Sequence, residues 1–163
     1  MRIGHERNSR MVKQLPIRIR APRKSDVRSQ FGALCFRFVR GKVKILLVTS
    51  RGTGRWIIPK GWPMDRVTPA DSAAKEAWEE AGVTGRVFDR CLGLFSYSKD
   101  DEFGLEMPCV AMVYPLLVKG LATDYPEKDQ RRRKWFSPKK AAARVAEPEL
   151  ARILRDFDPR GLV

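Results

Sequence analysis

The chain has 163 residues, enough for one domain with a hydrophobic core, and its 43% hydrophobic content is typical of a globular protein. No apolar run approaches the length of about 18 residues that a transmembrane helix needs, so we predict no membrane partner. The formal net charge of +14 excludes an acidic surface and indicates one that attracts polyanions, although it also fits a basic protein without such a ligand.

The first segment, residues 1–27, is predicted to be a basic arm preceding a domain over residues 28–160. It carries eight Lys or Arg residues and lacks the apolar segment of a secretory signal. A mitochondrial transit peptide is the alternative interpretation. Leu15 to Ile19 is a candidate edge strand, since Pro16 argues against a central one.

The cysteine and histidine content limits the chemistry. The three cysteines, Cys35, Cys91 and Cys109, lie in apolar strand-like runs and are interpreted as buried free thiols in a reducing compartment, which favours the cytoplasm. The only histidine, His5, lies in the arm. A Cys–His or Ser–His hydrolase is therefore disfavoured.

Strand patterns outnumber helical ones along the rest of the chain. A hairpin is predicted from two apolar runs joined at residues 40–42, and residues 50–55 form a turn. The expected strands are 31–39, 43–49, 56–58, 87–99, 107–119 and 134–136, with a loop at 60–63, a charged loop at 126–134, and a final helix from Pro138 that breaks at Pro148. This pattern favours a mixed sheet with helices packed on it.

A helix is predicted over residues 69–81, between Thr68 as N-cap and Gly82 as C-cap. Glu76, Glu79 and Glu80 lie at i, i+3 and i+4, so they project to one side and repel each other. A divalent cation would turn that repulsion into attraction, and carboxylate oxygens suit Mg²⁺. A solvated acidic face is the alternative interpretation of three helical glutamates.

The segment from Gly61 to Val83 resembles the Nudix box, G-x5-E-x7-R-E-U-x-E-E-x-G-U, where U is apolar. Gly61 matches the first glycine, and the three glutamates match the metal positions. Two positions depart from the pattern, because Val67 replaces the first Glu and Lys75 replaces the Arg. The resemblance implies an α+β fold, the Nudix α/β/α sandwich with a mixed β-sheet between helices.

The resemblance also implies a Mg²⁺-dependent pyrophosphohydrolase, with Mn²⁺ as an alternative ion. Cleavage of a phosphoanhydride needs neutralised phosphoryl oxygens and a water in line with phosphorus. Glu79 is the expected general base, and Glu76 and Glu80 are the expected metal ligands. A further carboxylate is expected from a later loop, with Glu127 first, then Asp129, Glu102 and Glu106.

Four segments outside the box look like the diphosphoinositol polyphosphate phosphohydrolase branch of that family: G-A-L-C-F-R, L-L-V-T-S-R, R-W-I-I-P-K-G-W and R-R-K-W-F. This resemblance implies substrate-binding roles for six residues: Arg28, Ser50, Arg51, Lys60, Gly61 and Arg133. The chain departs from the branch in having Trp62 and Pro63 where the branch has glycines. Trp62 is expected either to stack on an adenine or to cover the core. The run Arg131 to Lys134 suits a ligand with many phosphates, or else is a solvated loop.

The leading functional hypothesis is hydrolysis of a diphosphoinositol polyphosphate or a dinucleoside polyphosphate, a polyanionic small-molecule partner. The alternatives are a nucleotide-sugar or RNA 5′-end pyrophosphatase, and an inactive Nudix-fold module that binds nucleic acid. The intact glutamate trio argues against the inactive module.

Overall fold

The computed structural model describes residues 14–17, 27–100 and 103–162. The predicted basic arm therefore lies largely outside the described residues. Leu15 to Ile17 have no regular secondary structure, and the remainder of the predicted edge strand is not described. None of the helices in the described part is long and apolar enough to cross a membrane.

The described part of the chain forms eight strands and three α-helices. In chain order these are β1 Arg28–Val39, β2 Lys42–Thr49, β3 Trp56–Ile57, β4 Lys60–Gly61, α1 Pro69–Ala81, β5 Val83–Val87, β6 Gly93–Asp100, β7 Glu106–Leu121, β8 Arg133–Phe136, α2 Pro138–Arg144 and α3 Pro148–Arg155, followed by a 3₁₀ turn at Pro159–Gly161.

All eight strands belong to one mixed sheet, whose main order is β3-β2-β1-β7-β5. β1 and β7 run parallel in the centre, and the other pairs are antiparallel. Helix α1 packs on β1, β4, β5 and β7, whereas the α2–α3 pair contacts β2, β8 and β6. This confirms the predicted α+β fold, a mixed sheet between helices.

The predicted hairpin between β1 and β2 is confirmed. Its two turn residues, Arg40 and Gly41, both have positive φ, 51° and 75°. Two consecutive positive φ values match the right-handed twist of the flanking strands, which makes this a tight two-residue turn.

Helix α1 begins and ends as predicted. The Thr68 hydroxyl accepts a hydrogen bond from the Asp71 N–H at 3.2 Å, and Gly82 ends the helix with φ 65°. The buried face of α1 is built mainly from alanines, which allow close approach to the sheet: Ala70, Ala73, Ala77 and Ala81. This close packing brings the glutamate-bearing side of α1 next to β4.

The predicted strand over residues 87–99 is wrong in its middle, where residues 88–92 separate β5 from β6. Both strands pair with the same edge of β7, and the interruption lies opposite Tyr114 and Pro115. Pro115 has no N–H to donate at this point of the ladder. Cys91 lies in the interruption and is exposed, which corrects the prediction of three buried thiols; Cys35 and Cys109 are buried as expected.

The predicted loop at residues 60–63 begins with a short strand instead. Lys60 and Gly61 pair antiparallel with Gly32 and Phe31 of β1. The backbone position of Gly61 is thereby fixed by the centre of the sheet. The final helical region is two helices, α2 and α3, with the break falling just before Pro148 as expected.

Candidate active site

A cleft of about 460 Å³ lies between one end of the sheet and helix α1. It is lined by the turn after β2, the segment around β4, the outer side of α1 and the loop before β8. Its charged lining residues are Arg51, Lys60, Glu76, Glu79, Glu80, Lys99, Glu127 and Arg131. Four carboxylates and four cations therefore share one open concavity.

The three glutamates of α1 all line this cleft, as the helical spacing predicts. Glu80 is buried, and Glu76 and Glu79 are half-buried. One carboxylate oxygen of Glu80, Oε2, accepts a hydrogen bond from the backbone N–H of Lys60 at 3.3 Å. The trio is therefore not a solvated acidic face, and β4 contacts it directly.

Gly61 lies against the carboxylate of Glu76. A Cβ built on Gly61 would come within 2.1–2.5 Å of the three atoms of that carboxyl group. An added methyl group would force the Glu76 carboxylate or β4 to move, so glycine permits the observed close approach of β4 to the acidic side of α1. This gives a physical reason for the first glycine of the box.

Arg131 occupies the centre of the carboxylate cluster, although the sequence analysis assigned it no individual role. Its Nη2 lies 3.3 Å from Oε1 of Glu80 and 3.3 Å from Oε1 of Glu127. Its Nη1 donates to the Thr49 carbonyl at 3.1 Å, and its side chain is only 10% exposed. Alternate side chains of a strand lie on the same face. Counting back from Trp135 in steps of two would have placed Arg133 and Arg131 on one face and their exposed neighbours in the basic run on the other.

Glu127 is the one later carboxylate candidate that lines the cleft. Its backbone N–H donates to the Glu79 carbonyl at 3.0 Å, which holds the loop against α1. Arg51 lies 3.6 Å from its carboxylate. Asp129 and Glu106 are not among the residues lining this cleft, and Glu102 lies outside the described residues.

Burial raises the pKa values of two of the glutamates. Burial, together with the charges of Glu79 and Glu127, raises the pKa of Glu76 to about 7. Burial also raises the pKa of Glu80 to about 8, although the charge of Arg131 opposes the rise. Both carboxyls are therefore only partly ionised near neutral pH unless further positive charge enters the cleft.

The donor set fits a hard divalent cation, since it consists of carboxylate oxygens whose ionised form burial and mutual repulsion disfavour, and a bound cation would offset that cost. Within residues 14–17, 27–100 and 103–162, however, no three acidic, histidine or cysteine side chains are grouped as a ready-made metal site. Arg131 and the Lys60 N–H contact the two oxygens of Glu80. Metal entry would have to displace the guanidinium from Glu80.

Four of the six predicted substrate-binding residues line the cleft: Ser50, Arg51, Lys60 and Gly61. The Ser50 hydroxyl is used within its own turn, 2.7 Å from the Thr53 hydroxyl, and it accepts from the Arg55 N–H at 3.2 Å. Burial lowers the pKa of Lys60 to about 8. Its ammonium lies 4.5 Å from the centroid of the Tyr97 ring.

The other two, Arg28 and Arg133, are not among the cleft-lining residues. Arg28 opens β1 opposite Cys109. Arg133 turns toward the end of α1, where its Nη1 donates to the Ala81 carbonyl at 2.7 Å and its guanidinium covers the Tyr125 ring. A cation at a helix C-terminus stabilises the helix dipole, so the contacts of Arg133 are structural ones.

Comparison with known proteins agrees with this geometry. The family model for the NUDIX domain matches residues 28–157, which is most of the chain. The chain belongs to the NUDIX family. The predicted Nudix hydrolase resemblance is thus confirmed.

Relatives named as diphosphoinositol polyphosphate phosphohydrolases confirm the predicted branch of the NUDIX family. Nudix hydrolase 16, mitochondrial, of Arabidopsis thaliana is 36% identical over 131 residues, which cover 72% of each chain. Human diphosphoinositol polyphosphate phosphohydrolase 3-alpha is 35% identical over 105 residues, 63% of this chain and 60% of its own length. The matched part thus spans less than two thirds of that human relative.

Solved structures share the NUDIX fold at lower sequence identity. The Ap4A hydrolase of C. elegans has a TM-score of 0.57 at 20% identity, covering 80% of this chain and 95% of its own. The MutT protein of Methanosarcina mazei has a TM-score of 0.57 at 19% identity, covering 87% and 100%. These similarities support the fold alone.

Proposed function

We propose that the chain is a divalent-metal-dependent pyrophosphohydrolase, with Mg²⁺ as the first ion and Mn²⁺ as the alternative. Its substrate class is a highly phosphorylated small molecule, either a diphosphoinositol polyphosphate or a dinucleoside polyphosphate. The observation that carries this proposal is the cluster of Glu76, Glu79, Glu80 and Glu127 in a cleft flanked by four cationic side chains. Clefts that combine metal-binding oxygens with cations suit phosphoryl transfer.

Glu76 and Glu80 would hold the cation, with Glu127 as a further ligand. A bound divalent cation neutralises phosphoryl oxygens and lowers the pKa of a bound water. Glu79, half-buried beside them, is proposed to take the proton of the attacking water. Lys60 and Arg51 are proposed to bind substrate phosphates at the two sides of the cleft, because each lines it with a cationic side chain.

Arg131 is proposed to exchange partners when substrate and metal enter. In the structure its guanidinium contacts Glu80 and Glu127. A divalent cation held by those carboxylates would neutralise them, and the guanidinium could then contact the phosphate chain. Its planar fork suits bidentate contact with a phosphate better than the lysines of the cleft do.

A substrate panel tests the proposal. Inositol pyrophosphates, dinucleoside polyphosphates, nucleotide sugars and 5′-triphosphorylated RNA would be incubated with the protein in Mg²⁺, Mn²⁺ or EDTA. We expect metal-dependent release of phosphate or mononucleotide from at least one of the first two classes. Turnover of Glu79→Gln within threefold of the unmodified protein would exclude Glu79 as the base. Lack of metal-dependent hydrolysis across the whole panel would overturn the function.

The cellular compartment remains a prediction. The free thiols favour a reducing compartment such as the cytoplasm. The A. thaliana relative is itself named as mitochondrial.

A further inference from the structure

Trp62 is a large aromatic side chain in the cleft, and the proposed hydrolysis gives it no role. It follows Gly61 directly and lines the cleft with 37% of its surface exposed. Trp56 and Trp135 pack against the hydrophobic core, whereas Trp62 is not among the described side chains that do so. The alternative role as a core cover is therefore disfavoured, and the indole face remains available to a ligand.

The backbone at Trp62 is restricted by its neighbours in the chain. Gly61 is held by its pairing with Phe31 and by its contact with the Glu76 carboxylate. Pro63 restricts Trp62 to extended backbone conformations. The backbone that carries the ring is consequently held one residue away from the acidic cluster, so less backbone entropy is lost when a ligand stacks on the indole.

Lys99 supplies a cation beside this ring. Its Nζ lies 5.1 Å from the centroid of the Trp62 ring, and Lys99 also lines the cleft. An aromatic face next to an ammonium matches a nucleotide, which presents a planar base and a phosphate within one molecule. An inositol phosphate has no π-face, so it would use the cations and leave the indole without a partner.

We propose that Trp62 and Lys99 form a nucleobase-and-phosphate subsite that directs the cleft toward nucleoside polyphosphates rather than inositol pyrophosphates. The base stacks on the Trp62 indole, and the Lys99 ammonium moves from the ring to a phosphate oxygen. This inference rests on the proposed function for the position of the phosphate chain. It goes further by selecting the class of substrate.

Binding measurements with two probes of equal phosphate number separate stacking from charge. ATP and inorganic tripolyphosphate would be titrated by calorimetry in Ca²⁺, comparing the unmodified chain with Trp62→Ala and Trp62→Phe. We expect Trp62→Ala to weaken ATP about tenfold while tripolyphosphate changes less than twofold. Trp62→Phe keeps a stacking face, so its ATP affinity should stay within about threefold of the unmodified value.

Trp78 offers a matched control, because it is 36% exposed on α1 but does not line the cleft. Trp78→Ala should change neither affinity. Lys99→Met should weaken both probes, since its proposed partner is the phosphate chain. Equal loss of both probes in Trp62→Ala, or no loss of ATP, would overturn the subsite, and so would unchanged affinities in Lys99→Met. A thermal melt of each variant checks that the fold is retained.

The test of the Trp62–Lys99 subsite can fail or succeed independently of the test of the proposed hydrolysis. Trp62-dependent selectivity for ATP without hydrolysis of any panel substrate would remove the enzymatic proposal and leave the subsite. Metal-dependent hydrolysis of inositol pyrophosphates, with no effect of Trp62→Ala on ATP binding, would support the enzymatic proposal and overturn the subsite.

Discussion

The Nη2 atom of Arg131 lies 3.3 Å from Oε1 of Glu80, and this ion pair is nearly inaccessible to solvent, with the two side chains 10% and 7% exposed. It joins the loop before β8 to the acidic side of α1. The same guanidinium also contacts Glu127. Arg131 thus places a positive charge between two carboxylates of the cluster.

Replacing Arg131 with Met should destabilise the metal-free protein and tighten its binding of Mn²⁺. Removing one partner of a buried pair leaves an uncompensated charge and costs about 3–5 kcal/mol, but protonation of Glu80 limits the loss to about 1–3 kcal/mol. The freed oxygens should then bind Mn²⁺ about tenfold more tightly. Urea unfolding in EDTA and calorimetric titration with Mn²⁺ measure the two effects.

Arg132→Met is the matched control for that experiment, because Arg132 is adjacent in the chain and exposed. It should leave both unfolding free energy and Mn²⁺ affinity nearly unchanged. Weaker Mn²⁺ binding in Arg131→Met than in the control would show that Arg131 does not compete with the metal.

Replacing Gly61 with Ala should lower turnover about 100-fold without unfolding the domain. The added methyl group would fall 2.1 Å from the carboxyl carbon of Glu76, so either β4 or the carboxylate must move. A displacement of about 1 Å at a catalytic group costs roughly 100-fold in rate. Phosphate release from the best panel substrate measures the effect.

Gly161→Ala serves as its control, since the nearest atom to a Cβ there, on Arg90, is 3.7 Å away. We expect turnover of that variant to stay within about twofold of the unmodified value. A Gly61→Ala variant that is equally active would mean that the Glu76 carboxylate has no fixed catalytic position.

How far the sequence predicts this site depends on whether the signal is local. The capped helix with Glu76, Glu79 and Glu80 on one side follows from contacts within a few residues, and it was predictable with its boundaries. The different positions of Arg131, which lines the cleft, and Arg133, which does not, could not be predicted, because both are cations two residues apart. Which of them enters the cleft depends on the ends of α1 and β2, which are distant in sequence.

The break at residues 88–92 is a second case of this kind. Its own sequence is compatible with a continuous strand, as the prediction assumed. The interruption instead lies opposite Pro115, more than twenty residues later in β7. The sequence shows that Pro115 lacks an N–H, but a single-sequence pattern does not show which residues of another strand will lie opposite it.

Arg133→Met should lower stability while leaving substrate affinity unchanged, in contrast to the role that family resemblance implied. Its guanidinium donates to the Ala81 carbonyl at 2.7 Å at the C-terminal end of α1. Loss of this charge-assisted bond and of the dipole interaction should cost about 1–2 kcal/mol. Urea unfolding and KM for the best panel substrate distinguish the roles, because a phosphate-binding residue would raise KM at least tenfold when replaced.

The metal-free protein should lose stability as pH rises from about 4.5 to about 8. The pKa of Glu80 is raised from 4.5 to about 8 and that of Glu76 to about 7, so between these values the folded chain binds protons that the unfolded chain has released. Linkage then requires the free energy of unfolding to fall with rising pH across this window.

Urea unfolding in EDTA at pH 5, 6, 7 and 8 measures this slope. The same series for Glu80→Gln, whose side chain at position 80 cannot ionise, is subtracted from it. An identical slope in the two proteins would mean that Glu80 is ionised throughout, held so by Arg131, and would contradict the raised pKa. Saturating Mg²⁺ should flatten the slope in the unmodified protein, because bound cation favours the ionised carboxylates that folding otherwise disfavours.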